Sequence, residues 1–221
     1  MRLRGNWRRK LAVRSPSFLP RDFAQPCLGC YTCFQKDPTH CPHFAKLQPL
    51  SDALLAADII LPDSPAYVYH ATGQIMSFLD HFGTWWTVHR PRPEMCGKQA
   101  VAICTAAGGG MKNPCRDMAD SLEMWGVRRV FSLTGGIRTR LWRAYFEIFE
   151  TFRHRGAKPD ALAKKLRAGV GKRGENARGR KWFYIMRLFH KVSPPAEPDF
   201  GYWERRGWHG RQRPWKQRKG E

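Results

Sequence analysis

The sequence predicts an α/β domain built on a parallel sheet, and three observations carry that expectation. Short apolar runs at Ile59-Ile60-Leu61, Gln99–Cys104 and Val127–Leu133 have the length and composition of strands buried on both faces. Each of the first two leads through a loop of small or hydroxyl-bearing residues into a stretch with helical spacing. The resulting order, strand–loop–helix twice and then a strand, is that of a doubly wound fold. In such sheets ligands lie just beyond the carboxyl ends of the strands, which is where both loops fall.

At 221 residues the chain is long enough for one well-buried domain plus an extension, and a hydrophobic content of 42% predicts a packed core. The formal net charge of +21 is concentrated in the first 14 residues and after Arg138. Such flanks would attract phosphates, nucleic acid or an anionic membrane surface, although no zinc-finger, RNP or homeodomain signature is present. No run reaches the roughly 20 apolar residues of a membrane span. The start, MRLRGNWRRKLAV, lacks the apolar core of a signal peptide, so a cytoplasmic protein is expected.

Residues 1–20 carry few helix or strand signals. Next, Cys27, Cys30, Cys33 and Cys41 stand in a C-x2-C-x2-C-x7-C spacing followed by Pro42. Cysteines two residues apart can turn their thiolates inward around one small object. A cubane iron–sulfur cluster takes four such soft ligands. A zinc ion could take the same sulfurs, with His40 or His43 as substitutes, and the plain alternative is a cysteine-rich turn without metal. The count of seven cysteines is odd and no export signal is present, so disulfides are not expected.

Asp52 to Ala57 is helical in character and leads into the first strand, Asp58–Leu61. Pro62 and Pro65 are expected to end that strand, because proline cannot donate to the ladder. Asp63 to Tyr67 then reads as a loop bearing a hydroxyl, exposed amides and an aromatic ring. Ile75, Met76, Phe78, Leu79 and Phe82 recur at helical spacing. In the aromatic loop Thr84–Pro93, Trp85, Trp86 and His89 could cover a flat ring, pack against a partner subunit, or anchor the loop to the body of the fold. The second strand runs into Thr105-Ala106-Ala107-Gly108-Gly109, where the backbone can approach a ligand closely. It lacks the G-x-G-x-x-G dinucleotide fingerprint. A helix is expected over Arg116–Trp125 with Gly126 at C′, followed by the third strand. Beyond it, helices are expected over 138–153 and 159–168, with a flexible basic break at Gly169–Arg180. Lys181–Val192 would be a helix at a membrane interface, or one packed on the core or on a second subunit. The tail from Pro194 reads as loop. The chain thus divides into a basic N-terminus (1–20), an α/β core (21–136) and a helical, aromatic and basic extension (137–221).

Taken together these pieces resemble the flavodoxin-like NAD(P)H-dependent FMN reductases and their iron–sulfur flavoprotein relatives. The resemblance is carried by Cys27, Cys30, Cys33 and Cys41, Ala57-Asp58-Ile-Ile-Leu, Ser64-Pro65-Ala66-Tyr67, Thr72-Gly73, Phe78-Leu79-Asp80-His81, Thr105-Ala-Ala-Gly-Gly109 and Trp125-Gly126-Val127. It implies a flavodoxin-like three-layer sandwich with FMN at the strand ends. Ser64, Pro65, Ala66 and Tyr67 would line the isoalloxazine ring, and Thr105, Ala106, Ala107, Gly108 and Gly109 would offer backbone contacts to its polar edge. Hydride would pass from NAD(P)H to the flavin and electrons to an unnamed acceptor. The flavin carries the chemistry, so no catalytic side chain is expected. In the cluster-bearing branch Cys27, Cys30, Cys33 and Cys41 would ligate a [4Fe–4S] cluster. A homodimer is implied, with the flavin site at the subunit interface. The family opens with a strand and a phosphate-cradling loop, whereas only 26 residues precede Cys27 here. The fold is therefore expected to be N-terminally incomplete and FMN binding impaired, with Ser15-Pro16-Ser17 at best a remnant of that loop. Two other readings stand beside it: a non-enzymatic basic binding protein on an α/β scaffold, and a cysteine-ligated iron–sulfur or zinc protein.

Overall fold

The computed structural model describes residue 18 and residues 22–107, 109–136, 157–195 and 197–217. The expected helix over 138–153 and Ser15–Ser17 lie outside the described residues. In chain order the elements are α1 (Thr32–Gln35), α2 (Phe44–Ala56), β1 (Ile59–Ile60), β2 (Asp63–Pro65), α3 (Gly73–Asp80), β3 (Gln99–Ala106), α4 (Lys112–Met124), β4 (Arg129–Gly136), α5 (Ala157–Arg167), α6 (Ala177–Val192) and α7 (Asp199–Arg205).

The sheet is parallel, with β3 at its centre. Strand β4 runs along one edge of β3 from Gln99↔Arg129 to Ala106↔Gly136. Along the other edge lie β1 and β2, which pair with β3 in a single unbroken register: Ile59↔Gln99, Ile60↔Ala100, then Asp63↔Ile103 through Pro65↔Thr105. They are one strand interrupted at Pro62. The expectation that Pro62 ends the strand and that Asp63 opens a loop is corrected by this register. The carbonyls of Asp58 and Pro62 accept from Gln99 and Ile103, and the Ala66 amide donates to Thr105, so even-numbered residues point their polar groups at β3. Pro62 therefore removes one donor from the ladder. Pro65 has its missing N–H on the outer edge, where no strand pairs with it among the described residues, and it is the last residue of β2, as expected.

Ala100, Ala102 and Cys104 on one face of β3 are fully buried and share a core with Leu47 and Leu50 of α2, Leu79 of α3 and Cys115, Met118 and Leu122 of α4. The alternate face begins at Gln99, whose side-chain amide donates to the Leu166 carbonyl of α5 at 2.8 Å. Helix α4 ends as expected at Gly126 (φ +88°). Its amide bonds to the Glu123 carbonyl and that of Val127 to the Leu122 carbonyl, a Schellman closure.

Several expected boundaries move for identifiable reasons. Helix α2 starts at Phe44 rather than Asp52 and carries Pro49 inside it. Burial of Leu47 and Leu50 offsets the hydrogen bond that Pro49 cannot make. Helix α4 gains a turn before Arg116 because Pro114 and Cys115 are buried against the sheet. Part of the expected break at Gly169–Arg180 is helical: Asn176 caps α6 by accepting from the Gly179 amide at 2.7 Å. The tail contains α7, docked through fully buried Trp203. Phe183, Trp203 and Trp208 form a second core, with Phe183 and Trp203 stacked at 4.7 Å. No helix among the described residues is long and apolar enough to cross a membrane.

Candidate flavin-binding loops and a Cys–His cluster

The two loops that leave the carboxyl ends of the sheet are brought together. The Ala66 amide donates to the Thr105 carbonyl at 2.8 Å as the last rung of the β2–β3 ladder, and the two loops leave the sheet beside it. Pro65, Tyr67, Ala107 and Gly109 are exposed, while Ala66, Thr105 and Ala106 are half-buried; Gly108 lies outside the described residues. Ser64 is different. Its hydroxyl is buried, accepts from the Thr72 amide at 2.9 Å and lies 2.9 Å from the Pro65 carbonyl. The side chain braces the loop from within, so its sequence-expected place against a ligand ring is not where this hydroxyl points.

Between Tyr67 and His70 the chain makes a tight antiparallel bridge, and Val68 and Tyr69 sit in the left-handed region at φ 51° and 64°. A β-branched residue there is strained by about 1–3 kcal/mol. The turn is held from α4: one Asp117 carboxylate oxygen accepts from the Ala71 amide at 3.1 Å and lies 3.2 Å from His70 Nδ1. It is also held from the glycine loop, since a Cβ placed on Gly110 (φ +83°) would lie 2.3 Å from the Tyr69 ring. Only glycine lets the two loops approach this closely. Tyr69, Gly110 and Asp117 were not among the sequence candidates. The G-G-G run was a signal for close approach, but nothing local pointed to its partner.

This surface offers a flat aromatic side chain, Tyr67, beside exposed backbone, and a Cβ on Gly109 would meet nothing within 4 Å. Trp85, by contrast, is core rather than ring cover, 5% exposed and edge-on to Phe82 and Trp125.

Residues 14–136, more than half of the chain, match the family model of NADPH-dependent FMN reductase. The chain belongs to this family. No curated protein sequence matches it. Among solved structures it is similar to an NADH:FMN oxidoreductase in its apo form, with TM-score 0.35, 19% identity and coverage of 70% of this chain and 63% of that one. A Klebsiella pneumoniae protein assigned as a quinone reductase is similar with TM-score 0.41, 16% identity and coverage of 76% and 75%.

In this FMN reductase family member the cysteine-rich segment forms a second feature. Cys27 and Cys30 are exposed, and Cys33 and Cys41 half-buried. Thr32, whose hydroxyl lies 3.3 Å from Cys30 Sγ, draws that thiol below its ordinary pKa. Burial pushes Cys33 up, and the neighbouring Cys41, Cys27 and Cys30 add to it. Arg90 seats the segment: its guanidinium donates to the carbonyls of Cys33 (2.5 Å), Phe34 (3.4 Å) and Lys36 (3.3 Å) and pairs with Asp199 of α7 at 2.9 Å. Among the described residues, the group placed to hold a metal ion is not the four cysteines but Cys41, His43 and His81, whose ligand atoms lie within 4.8 Å of one another. Sequence reading named Cys41 and His43 but missed His81, because its closeness is created by the fold.

Proposed function

We propose that the chain is a flavin-dependent NAD(P)H oxidoreductase that seats the ring of FMN across the two loops at the strand ends. The observation that supports this most is that the two loops leave the sheet side by side, just past the last β2–β3 rung from the Ala66 amide to the Thr105 carbonyl, within the stretch matched to the FMN reductase family. When bound, FMN supplies the redox chemistry, accepting a hydride equivalent from NADH or NADPH and giving electrons to an acceptor. The chain's own task is to bind and orient. Pro65, Ala66 and Tyr67 would line the ring and shield it from water. The backbone of Thr105, Ala106, Ala107, Gly108 and Gly109 would meet its polar edge. Ser64 and Asp117 would hold the loops in place. Contacts to the phosphate would come from outside these loops. A cytoplasmic homodimer belongs to the same reading: Tyr67, Val68 and Tyr69, 64%, 91% and 66% exposed, form an apolar rim that a second subunit can cover. A [4Fe–4S] cluster on Cys27, Cys30, Cys33 and Cys41 is not part of it.

The test is flavin titration of the full chain, followed by its absorption spectrum on adding NADPH under anaerobic conditions. Quenching of FMN fluorescence on binding and bleaching of the bound flavin are expected. A folded chain that neither binds FMN nor oxidises either nicotinamide would overturn the proposal.

A further inference from the structure

We propose that Cys41, His43 and His81 bind one zinc ion that pins the cysteine-rich segment to the end of α3. One thiolate and two imidazoles form a borderline-soft donor set of the kind zinc takes in tetrahedral sites. In such a site the donors stand about 3.3–3.8 Å apart, given metal–ligand bonds of about 2.0–2.3 Å. His43 Nδ1 and His81 Nε2 are already 3.0 Å apart, and all three donor atoms lie within 4.8 Å of one another. Closing around an ion therefore requires only small side-chain movements.

The surroundings prepare the donors. His81 Nδ1 lies 2.7 Å from the Ser77 carbonyl, which can only accept. The proton is thus on Nδ1, and Nε2 turns its lone pair towards His43 and Cys41. A ring nitrogen tied to a carbonyl in this way is the usual outer support of a metal-bound histidine. Phe23 covers the cluster, its ring edge-on to His81 at 5.0 Å and to His43 at 6.3 Å. At 3.0 Å one of the two facing nitrogens donates to the other, and a zinc ion would take the place of that proton and add the Cys41 sulfur. Water completes the tetrahedron.

The site is distinct from a cubane cluster in a way that can be read out. Cys41 is common to both, His43 and His81 serve only zinc, and Cys27 and Cys30 serve only the cluster. The full chain is loaded with Zn²⁺, or with Co²⁺ as a coloured substitute, and metal content, the sulfur-to-cobalt band and Tm are recorded. One ion per chain and a metal-dependent rise in Tm are expected. His81→Gln and Cys41→Ser should abolish the tight site while Cys27→Ser and Cys30→Ser keep it. Circular dichroism of each variant without metal separates loss of the site from loss of the fold, and His43→Gln supplies a second variant if His81→Gln does not fold. A folded wild-type chain without stoichiometric Zn²⁺ or Co²⁺ binding overturns the assignment. So does binding that survives loss of both histidines, or that disappears with Cys27 or Cys30.

Discussion

Arg90 joins three parts of the chain that are far apart in sequence. It is 7% exposed, closes the carbonyl end of α1 below the cysteines, and meets Asp199. His89 beside it adds a 2.8 Å contact to the same carboxylate. Removing one partner of such a pair leaves the other charge, and here several carbonyls, without compensation. Arg90→Met is expected to lower unfolding stability by about 3 kcal/mol, measured by urea denaturation. Arg90→Lys should recover little of it, because an ammonium cannot reach carbonyls and carboxylate with one planar fork. Gly110 is the corresponding residue of the candidate flavin site. Gly110→Ala forces a side chain into φ +83° and into the Tyr69 ring. The cost to folding should be only about 1–2 kcal/mol, since the collision is with an exposed ring. FMN binding should suffer more visibly: the two loops part, and a dissociation constant about tenfold weaker, equivalent to about 1.4 kcal/mol, is expected by fluorescence titration. Unchanged affinity would mean that the ring does not sit on this loop pair.

At the scale of elements, the parts legible in the sequence are those set by local periodicity. The apolar runs gave the parallel strands, Met118, Leu122 and Trp125 gave the buried face of α4, and Gly126 gave its end. What was not legible depends on distant partners. The helical reading began only at Asp52, yet α2 starts at Phe44 and passes through Pro49 because Leu47 and Leu50 are buried. Gly179 and its arginine neighbours read as a flexible break, yet Asn176 caps α6 and its side-chain amide donates to the Glu123 and Val127 carbonyls at 2.9 and 2.8 Å. For the candidate site, the positions of both loops followed from strand-end logic, but the inward turn of Ser64, the Tyr69–Gly110 approach and the arrival of His81 did not. The α6–α7 unit also carries a pH response that no local pattern announces. His190 is 3% exposed, and burial, helped by the charge of His209 and opposed by Asp199, brings its pKa down to about 4 from 6.5. A depressed folded-state pKa means that the neutral form is built in. Its contribution is whole above pH 6.5 and is lost as pH falls towards 4, up to about 3 kcal/mol in all. The tryptophans of this unit, Trp203 and Trp208, supply the signal. Their fluorescence should report melting of the aromatic cluster at progressively lower temperature between pH 6.5 and 4, and His190→Gln should flatten that slope.

The whole molecule is shaped by its charge imbalance. With 39 lysines and arginines against 18 acids, more than half of the cations have no acidic partner available within the chain. The pairs that do form on the surface, such as Arg178 with Asp120 and Glu123, are partly solvated and contribute little, about 0–1 kcal/mol each. Their loss in salt is therefore small, whereas the repulsion among the remaining cations is summed over the surface. The extension concentrates it: Lys164, Lys165 and Arg167 fill the last turn of α5, and α6 carries Arg178, Arg180, Lys181, Arg187 and Lys191. At about 0.1 M salt the screening length falls to about 10 Å, short enough to damp repulsion between helices but not the buried Arg90–Asp199 pair. Thermal stability should accordingly rise with sodium chloride, by about 2–4 °C for each kcal/mol of repulsion relieved in a chain of this size. Tripolyphosphate at equal ionic strength should raise it further, because a multivalent anion bridges neighbouring cations rather than merely screening them. A fall in Tm with salt would show that attractive surface pairs dominate instead. If tripolyphosphate and sodium chloride acted alike at equal ionic strength, the basic surface would be a diffuse field, with no cluster of cations close enough to grip a polyanion.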